Sequence, residues 1–211
     1  MSPARARPSA IYAIADAEAL APRSLAAGAL AIAESGIGTI QLRAKAMSDR
    51  ELYAESERAV RGLEGWSGTL WIDDRIDLAR LLGFAGVQLG QNDLPPAAAR
   101  TLLPEGRLIG ASTHDAAQFE AASADDAVDW VAFGPLFPTT GKRQPDPVVG
   151  LEGLAAVARA RRKPLVAIGG IDASNLRRVL DAGADSAAIL GAVSRGDVAA
   201  NCRRLLAALA A

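Results

Sequence analysis

Short apolar runs alternate with helix-like runs along almost the whole chain, and this alternation constrains the fold more than any other feature. Eight runs of four to six residues have strand character, are mostly apolar and are bounded by glycine, aspartate or proline: 10–15, 39–43, 69–72, 86–89, 107–111, 130–133, 164–168 and 186–190. Strands that are apolar on both faces are typical of parallel sheets buried on both sides. Eight helix-like runs follow them in turn: 17–34, 49–63, 76–82, 95–103, 115–122, 151–161, 173–182 and 197–209.

Eight βα repeats predict an α/β protein built as one (β/α)₈ barrel. The 211 residues are near the lower end of the length such a barrel needs, about 200 residues. The alternative is an open doubly wound sheet, which usually has fewer strands and a glycine-rich turn after the first. Here that turn reads Asp16-Ala17-Glu18 and has no glycine. No linker interrupts the pattern, so we expect a single domain over residues 1–211, with residues 1–8 as a flexible tail.

Charge and composition argue against several classes of function. The 23 basic and 24 acidic residues give a net charge of −1, which is unlike a general nucleic-acid or membrane-surface binder. No apolar run reaches the roughly 18 residues of a membrane span, and no apolar core of a signal peptide follows Arg7. The single Cys202 and the single His114 exclude disulfides within the chain, multi-cysteine metal sites and histidine clusters. We expect a cytoplasmic protein, and the sequence leaves a homo-oligomer open.

Polar residues follow the predicted strands, at the end of a barrel where catalytic residues collect. Gln41, Arg43 and Lys45 alternate after the second strand and should point to one side. The other polar residues that follow strands are Asp73, Asp74, Asp93, Ser112, His114, Thr139 and Lys142. The sequence therefore predicts one polar pocket at the carboxyl ends of the strands.

Asp74 and Asp93 follow neighbouring strands and predict a Mg²⁺ site, because this hard cation takes oxygen ligands. The alternative is that each aspartate caps the helix that follows it. His114 is either a general acid or base or a helix-entry residue, and no partner acid can be identified from its spacing.

Glycines after the last two strands indicate phosphate binding. Gly170 follows the seventh strand and Gly191 the eighth, where barrels commonly hold phosphate with backbone N–H groups. The alternative is that the Gly169-Gly170 pair only forms a tight turn. Lys142 lies in a long irregular stretch and either contacts a leaving phosphate as a point charge or is a solvated loop lysine.

These residues, in this order, resemble the thiamine phosphate synthase family. The matching segments are 12–16, 40–45, 73–79, 86–94, 110–114, 134–139 and 167–171. The segments Leu89-Gly90-Gln91-Asn92-Asp93-Leu94 and Gly134-Pro135-Leu136-Phe137-Pro138-Thr139 are the most distinctive of the family. The resemblance implies a (β/α)₈ barrel and a transferase of thiamine biosynthesis. Such an enzyme joins a hydroxymethylpyrimidine diphosphate to a thiazole phosphate or its carboxylate, giving thiamine phosphate and pyrophosphate with Mg²⁺.

The resemblance also implies roles for individual residues. Gln41, Arg43, Lys45 and Asp73 would hold the pyrimidine diphosphate, and Asp74 and Asp93 would carry Mg²⁺. Ser112 would lie beside the reacting pyrimidine, Thr139 and Lys142 would contact the phosphates, and Gly170 and Gly191 would bind the thiazole phosphate. Arg43, Lys45, Ser112 and Lys142 are the residues expected to be catalytic. Pyrophosphate would leave first, and the thiazole nitrogen would then attack the pyrimidine cation, so no protein nucleophile is needed.

Three positions depart from the family's usual pattern. Asp73 replaces an asparagine, Gly141 replaces a threonine of the Thr-x-Thr-Lys segment, and Gly191 replaces a serine. They motivate the alternative of an inactive barrel that binds thiamine intermediates. A second alternative is a thiazole tautomerase on the same barrel with His114 as its base. A tautomerase has no use for Gln41, Lys45, Asp74, Asp93 and Lys142, so the sequence favours the synthase.

Overall fold

Eight parallel strands close into one barrel in the structure, a computed structural model that describes residues 8–138 and 146–210. The strands are β1 (Ile11–Asp16), β2 (Thr39–Arg43), β3 (Thr69–Asp73), β4 (Gly86–Leu89), β5 (Leu108–Thr113), β6 (Trp130–Phe133), β7 (Leu165–Ile168) and β8 (Ser186–Ile189). Each strand pairs with the next, and β8 pairs with β1 through Tyr12 and Ala188. The (β/α)₈ prediction is confirmed, and the open sheet is excluded.

Ten helices surround the barrel within the described ranges, where the sequence predicted eight. They are α1 (Ala17–Leu20), α2 (Leu25–Glu34), α3 (Asp49–Gly62), α4 (Ile76–Leu82), α5 (Pro96–Leu102), α6 (Ala116–Ala124), α7 (Gly150–Ala160), α8 (Leu176–Asp181), α9 (Gly191–Ser194) and α10 (Val198–Ala210). The predicted helix 17–34 is two helices because Pro22 lacks the N–H that would continue the first one. The second begins at Ser24, whose side chain accepts a hydrogen bond from Ala27 N. The other extra helix is α9, a single turn after β8.

Local signals in the sequence fix several helix ends. Ser48 and Glu51 form a capping box at the start of α3. Gly83 ends α4 in the left-handed region at φ 75°, a conformation that costs glycine little. None of the described helices has the length and apolar character needed to cross a membrane.

Three aromatic side chains fill the interior of the barrel below its carboxyl end. Trp71 of β3 and Trp130 of β6 stack with ring centroids 3.7 Å apart, and Tyr12 of β1 packs 5.5 Å from Trp130. All three are buried, together with Ile14 and Val166. The barrel is therefore closed by a floor of aromatic and aliphatic side chains, and the charged side chains of Asp16, Arg43 and Asp73 lie at the ends of their strands above it.

The amino-terminal segment is fixed to the barrel from Pro8 onward. Pro8 is buried, and the backbone N–H of Ser9 donates to Oγ1 of Thr39 at 3.0 Å. The last residue of the predicted tail thus packs against the protein, and β1 begins three residues later at Ile11. Residues 1–7 lie outside the described ranges.

Replacing Gly110 by alanine is expected to lower the free energy of unfolding by about 1–3 kcal/mol, as overpacking a tight core does. A β-carbon there would lie 2.1 Å from Gln88 Oε1 and 2.2 Å from Trp130 Nε1, so buried groups would have to move. Urea denaturation measures the change. The matched control is Gly38→Ala, where the nearest atom to the new carbon is 3.6 Å away. Equal effects of the two substitutions would contradict the packing described here.

Candidate active site

The end of β2 carries a network of charged side chains at the carboxyl rim of the barrel. Arg43 donates to Oδ2 of Asp16 on β1, and its Nε lies 3.5 Å from Oδ2 of Asp73 on β3. Gln41 Nε2 donates to the other oxygen of Asp73 at 2.8 Å. The predicted alternation of Gln41, Arg43 and Lys45 toward one side thus places these side chains around a single carboxylate.

Lys45 joins this network from just beyond the end of β2. Its Nζ lies 3.0 Å from Asp73 Oδ2 and forms an ion pair with Asp74. Burial lowers the pKa of the Lys45 ammonium, but the charges of Asp73 and Asp74 outweigh burial and the pKa is raised. Lys45 is therefore a permanent cation whose side chain is still 47% exposed and within reach of a ligand.

Two carboxylates, those of Asp73 and Asp74, contact Lys45, and the charge of Asp93 acts on both. Burial raises the pKa of Asp73, although Lys45 and Arg43 oppose the change. Burial and the charge of Asp73 raise the pKa of Asp74 to about 6. The charge of Asp93 also raises the pKa of both groups. The three carboxylates carry more negative charge than the two cations, Lys45 and Arg43, can neutralise. An added cation would therefore be stabilised there.

Asp74 and Asp93 are not helix caps, so that alternative is wrong. The residue preceding α4 is Arg75 and the residue preceding α5 is Pro95, and neither helix start has a side-chain cap. Asp93 Oδ2 instead accepts from the backbone N–H of Gly90 at 2.6 Å. Asp74 has φ 60°, a conformation unusual for a residue with a side chain. Such backbone conformations cost free energy and persist where the surrounding structure imposes them, often at functional sites.

The donor set fits Mg²⁺ better than it fits a softer metal. Asp74 and Asp93 offer carboxylate oxygens, which are the ligands that Mg²⁺ prefers. Among residues 8–138 and 146–210, no three His, Cys, Asp or Glu side chains gather into a metal site by themselves. Mg²⁺ commonly binds through one or two carboxylates plus substrate phosphates, so two aspartates suffice.

Ser112 lies near the carboxyl end of β5, two strands along the barrel from Asp73 on β3. Its Oγ accepts from Nε2 of Gln88 at 3.0 Å, and Gln88 Oε1 accepts from Trp130 Nε1 at 3.0 Å. Gln88 was not among the predicted site residues. The signal was available, because Gln88 is a lone polar residue in an apolar strand.

Asp16 is a second functional candidate that was not among the predicted site residues. It is buried at the end of β1, caps α1 by accepting from Ala19 N at 3.0 Å, and accepts from Arg43. It alternates in phase with Tyr12 and Ile14, which places it inside the barrel at the rim. That phase could have marked Asp16 as a residue of the polar rim.

The predicted glycines lie on the opposite side of the rim. Gly170 has φ 65°, and a β-carbon there would lie 2.7 Å from Cβ of Phe137, so this turn requires glycine. Gly191 begins α9 and lines a cavity of about 330 Å³ together with Ser174, Arg195 and Arg204. An anion in the cavity beside Gly191 would meet the amino-terminal turn of α9 and the two arginines.

His114 bridges β5 and the segment that follows β6. Its Nδ1 lies 3.0 Å from the carbonyl oxygen of Gly134 and 3.5 Å from Oδ2 of Asp146. These contacts place the imidazole beside the rim at the entry to α6, and they do not decide between the two interpretations. Thr139, Gly141 and Lys142 belong to residues 139–145, which lie outside the described ranges.

Comparison with known proteins gives consistent matches along the chain. The family model described as thiamine monophosphate synthase matches residues 11–193. The chain is 42% identical over 184 residues to a thiamine-phosphate synthase of Koribacter versatilis, covering 85% of this chain and 86% of that protein. It is 37% identical over 198 residues to a thiamine-phosphate synthase of Myxococcus xanthus, covering 93% and 90%. The solved structure of a thiamine phosphate pyrophosphorylase from Pyrococcus furiosus superposes with a TM-score of 0.84 at 30% identity, covering 95% and 96%.

Proposed function

The chain belongs to the thiamine monophosphate synthase family. On that premise we propose that the charged side chains at the carboxyl rim of its barrel serve to couple a hydroxymethylpyrimidine diphosphate to a thiazole phosphate. The products are thiamine phosphate and pyrophosphate, and the chain is a transferase. The observation that carries this proposal is the interleaving of Arg43 and Lys45 with Asp73 and Asp74 at the carboxyl end of the barrel. The two cations can neutralise negative charge on a bound diphosphate. The neighbouring carboxylates can in addition bind a metal ion.

Cations at the rim favour departure of pyrophosphate. Arg43 is held by Asp16, so its guanidinium is oriented before substrate binds. Lys45 is partly exposed and permanently charged, so it contacts the leaving diphosphate as a point charge. Mg²⁺ held by Asp74 and Asp93 would neutralise further charge on the diphosphate. Departure leaves a pyrimidine cation stabilised by the ring's own amino group, and the thiazole nitrogen attacks it.

The remaining assignments concern orientation of the two substrates. We assign Gln41 and Ser112 to the pyrimidine side, and Gly170 and Gly191 to the thiazole phosphate. Thr139 and Lys142 are proposed to contact the phosphates. Since no protein nucleophile or base takes part, catalysis depends on positioning and charge stabilisation.

Asp73 is compatible with this function because cationic and amide donors surround it. Gln41, Arg43 and Lys45 all contact its carboxylate. A buried carboxylate would repel a diphosphate if it were unpaired, but here it organises the donors that we assign to the diphosphate. This arrangement supports an active enzyme rather than an inactive binding protein.

Product analysis distinguishes the synthase from both alternatives. The protein is incubated with the pyrimidine diphosphate, thiazole phosphate and Mg²⁺, and thiamine phosphate and pyrophosphate are quantified. Equal amounts of the two products are expected, with none when either substrate is omitted. Isomerisation of thiazole carboxylate phosphate that is lost in His114→Asn, without coupling, would support a tautomerase. Tight binding of thiamine phosphate without turnover would support a binding protein.

Gly191→Val is expected to raise the KM for thiazole phosphate by about tenfold, because the branched side chain would hinder the approach of the phosphate to the backbone N–H and weaken roughly one hydrogen bond. The KM for the pyrimidine diphosphate is expected to stay within about twofold. Gly191 suits this test because the atoms nearest to an added β-carbon are 3.9 Å away, on Arg195. Gly170 does not suit it, because its turn requires glycine. Steady-state kinetics with each substrate varied in turn give both constants. Equal increases for the two substrates would contradict the assignment.

A further inference from the structure

Gln88 connects the apolar floor of the barrel to the rim by hydrogen bonds in a fixed direction. Its Oε1 accepts from Trp130 Nε1 at 3.0 Å, and its Nε2 donates to Ser112 Oγ at 3.0 Å. An indole N–H can only donate, so the atom of Gln88 that faces Trp130 has to be the amide oxygen. The amide nitrogen must then face Ser112. Trp130 thereby sets the orientation of the Gln88 amide.

The groups that hold this orientation are rigid. Trp130 is 2% exposed and stacks on Trp71 with an interplanar angle of 19°. Gln88 is 5% exposed and pairs in register with Gly110, which pairs in turn with Trp130. The missing side chain of Gly110 leaves the space that the hydrogen bond between Gln88 and Trp130 occupies. A flip of the amide would bring two N–H groups together in a buried place.

The consequence falls on the hydroxyl group of Ser112. A serine hydroxyl has one hydrogen to donate and lone pairs that accept. Because Gln88 supplies a donor from below, Oγ uses a lone pair there and keeps its hydrogen for another partner. Among residues 8–138 and 146–210, no group accepts that hydrogen. Ser112 is only partly buried, so its hydrogen remains available to an acceptor that enters from the open side of the rim.

We propose that Gln88 is a positioning residue that presents the Ser112 hydroxyl as a hydrogen-bond donor to an acceptor atom of the phosphorylated pyrimidine. Trp130 sets the orientation of Gln88, and Gln88 sets the role of Ser112. The inference rests on the proposed function, because it takes the rim beside Ser112 as the place of the pyrimidine.

A double-mutant cycle tests the proposal. Gln88→Met keeps a similar volume and removes both hydrogen bonds, and we expect kcat/KM for the pyrimidine diphosphate to fall about tenfold. In the Ser112→Ala background the same substitution is expected to lower kcat/KM by less than about twofold, because the hydroxyl it orients is absent. If the double variant loses kcat/KM by the product of the two single-variant factors, the two residues act independently and the proposal is overturned.

Gln91, in the turn that directly follows β4, supplies a matched control. Its Nε2 donates at 2.7 Å to the backbone carbonyl of Ser112, which persists in Ser112→Ala. The effect of Gln91→Met, whatever its size, is therefore expected to be the same in both backgrounds. Coupling of Gln91→Met to Ser112→Ala as strong as that of Gln88→Met would overturn the proposal, because general disturbance of the strand end would then explain both.

A conservative variant keeps the test valid if Gln88→Met fails to fold, as judged by circular dichroism. Neutral imidazole has one acceptor and one donor nitrogen, so Gln88→His can accept from Trp130 and donate to Ser112. It is expected to keep kcat/KM within about threefold of the parent, close to the loss of a fraction of one hydrogen bond. A folded Gln88→His protein with activity as low as Ser112→Ala would count against the relay.

The parent protein separates failure of this inference from failure of the proposed function. If the parent forms product and the two substitutions act independently on kcat/KM, only the role of Gln88 is wrong. Absence of product from the parent removes the proposed function, and the same cycle is then read on the dissociation constant of thiamine phosphate by calorimetry. Effects of the two substitutions on that constant that multiply would also overturn the role of Gln88 in orienting the Ser112 hydroxyl.

Discussion

Replacing Asp93 by asparagine is expected to lower kcat at least about 100-fold at a Mg²⁺ concentration that saturates the parent enzyme, the size of effect that loss of charge stabilisation brings. An amide keeps the shape of the side chain and can still accept from the Gly90 N–H. It removes the negative charge that would attract the metal ion. Rate measurements over a series of Mg²⁺ concentrations are expected to show a higher requirement for the ion as well.

Asp77→Asn is the matched control for Asp93→Asn. Asp77 is an exposed carboxylate in the first turn of α4 and pairs with Arg75. Its substitution is expected to leave kcat and the Mg²⁺ requirement within about twofold, as is usual for a surface ion pair. If Asp93→Asn is as active as this control across the Mg²⁺ series, Asp93 is not a metal ligand.

Replacing Lys45 by methionine is expected to lower kcat by about 100-fold, with a smaller change in KM, because a cation that stabilises the leaving diphosphate acts mainly in the transition state. Methionine keeps the unbranched apolar part of the side chain and removes the ammonium. Asp73 and Asp74 then lose their shared ion-pair partner, so the cluster becomes more repulsive to an incoming diphosphate. Steady-state and single-turnover rates separate the chemical step from binding.

Arg61→Met provides the comparison for Lys45→Met. Arg61 forms an exposed ion pair with Glu57 on α3, and we expect its substitution to leave kcat within about twofold. An increase in KM for Lys45→Met with an unchanged kcat would mean that Lys45 binds substrate and transition state equally. The catalytic role proposed for Lys45 would then be wrong.

The barrel could be predicted from the sequence because its elements are encoded locally. Strand alternation and helix periodicity act over a few residues, and caps such as Ser48 are read from neighbours along the chain. The split between α1 and α2 was also legible, because Pro22 lies within the predicted helix. The short helix α9 was not expected, since a single turn after β8 leaves no periodic pattern to detect.

The site was predicted only in part because its contacts join distant strands. The sequence pointed to five residues at or just beyond the ends of β2 and β3, and the structure brings them into contact: Gln41, Arg43, Lys45, Asp73 and Asp74. The partners Asp16 and Gln88 were missed, because residue spacing carries no information on pairs that meet only in the closed barrel. The alternation along β1 and β4 directs both side chains into the barrel. Which residues they contact depends on the register between strands, and the sequence pattern does not give that register.

The requirement for Mg²⁺ in thiamine phosphate formation tests the central claim of this account most directly. The parent protein is assayed with both substrates in the presence of Mg²⁺, after chelation with EDTA, and after Mg²⁺ is restored. We predict that chelation lowers the rate at least about 100-fold and that added Mg²⁺ restores it, because carboxylates at the rim hold the ion against the diphosphate. An undiminished rate in EDTA would contradict the proposed metal site and the role of Asp74 and Asp93 in it.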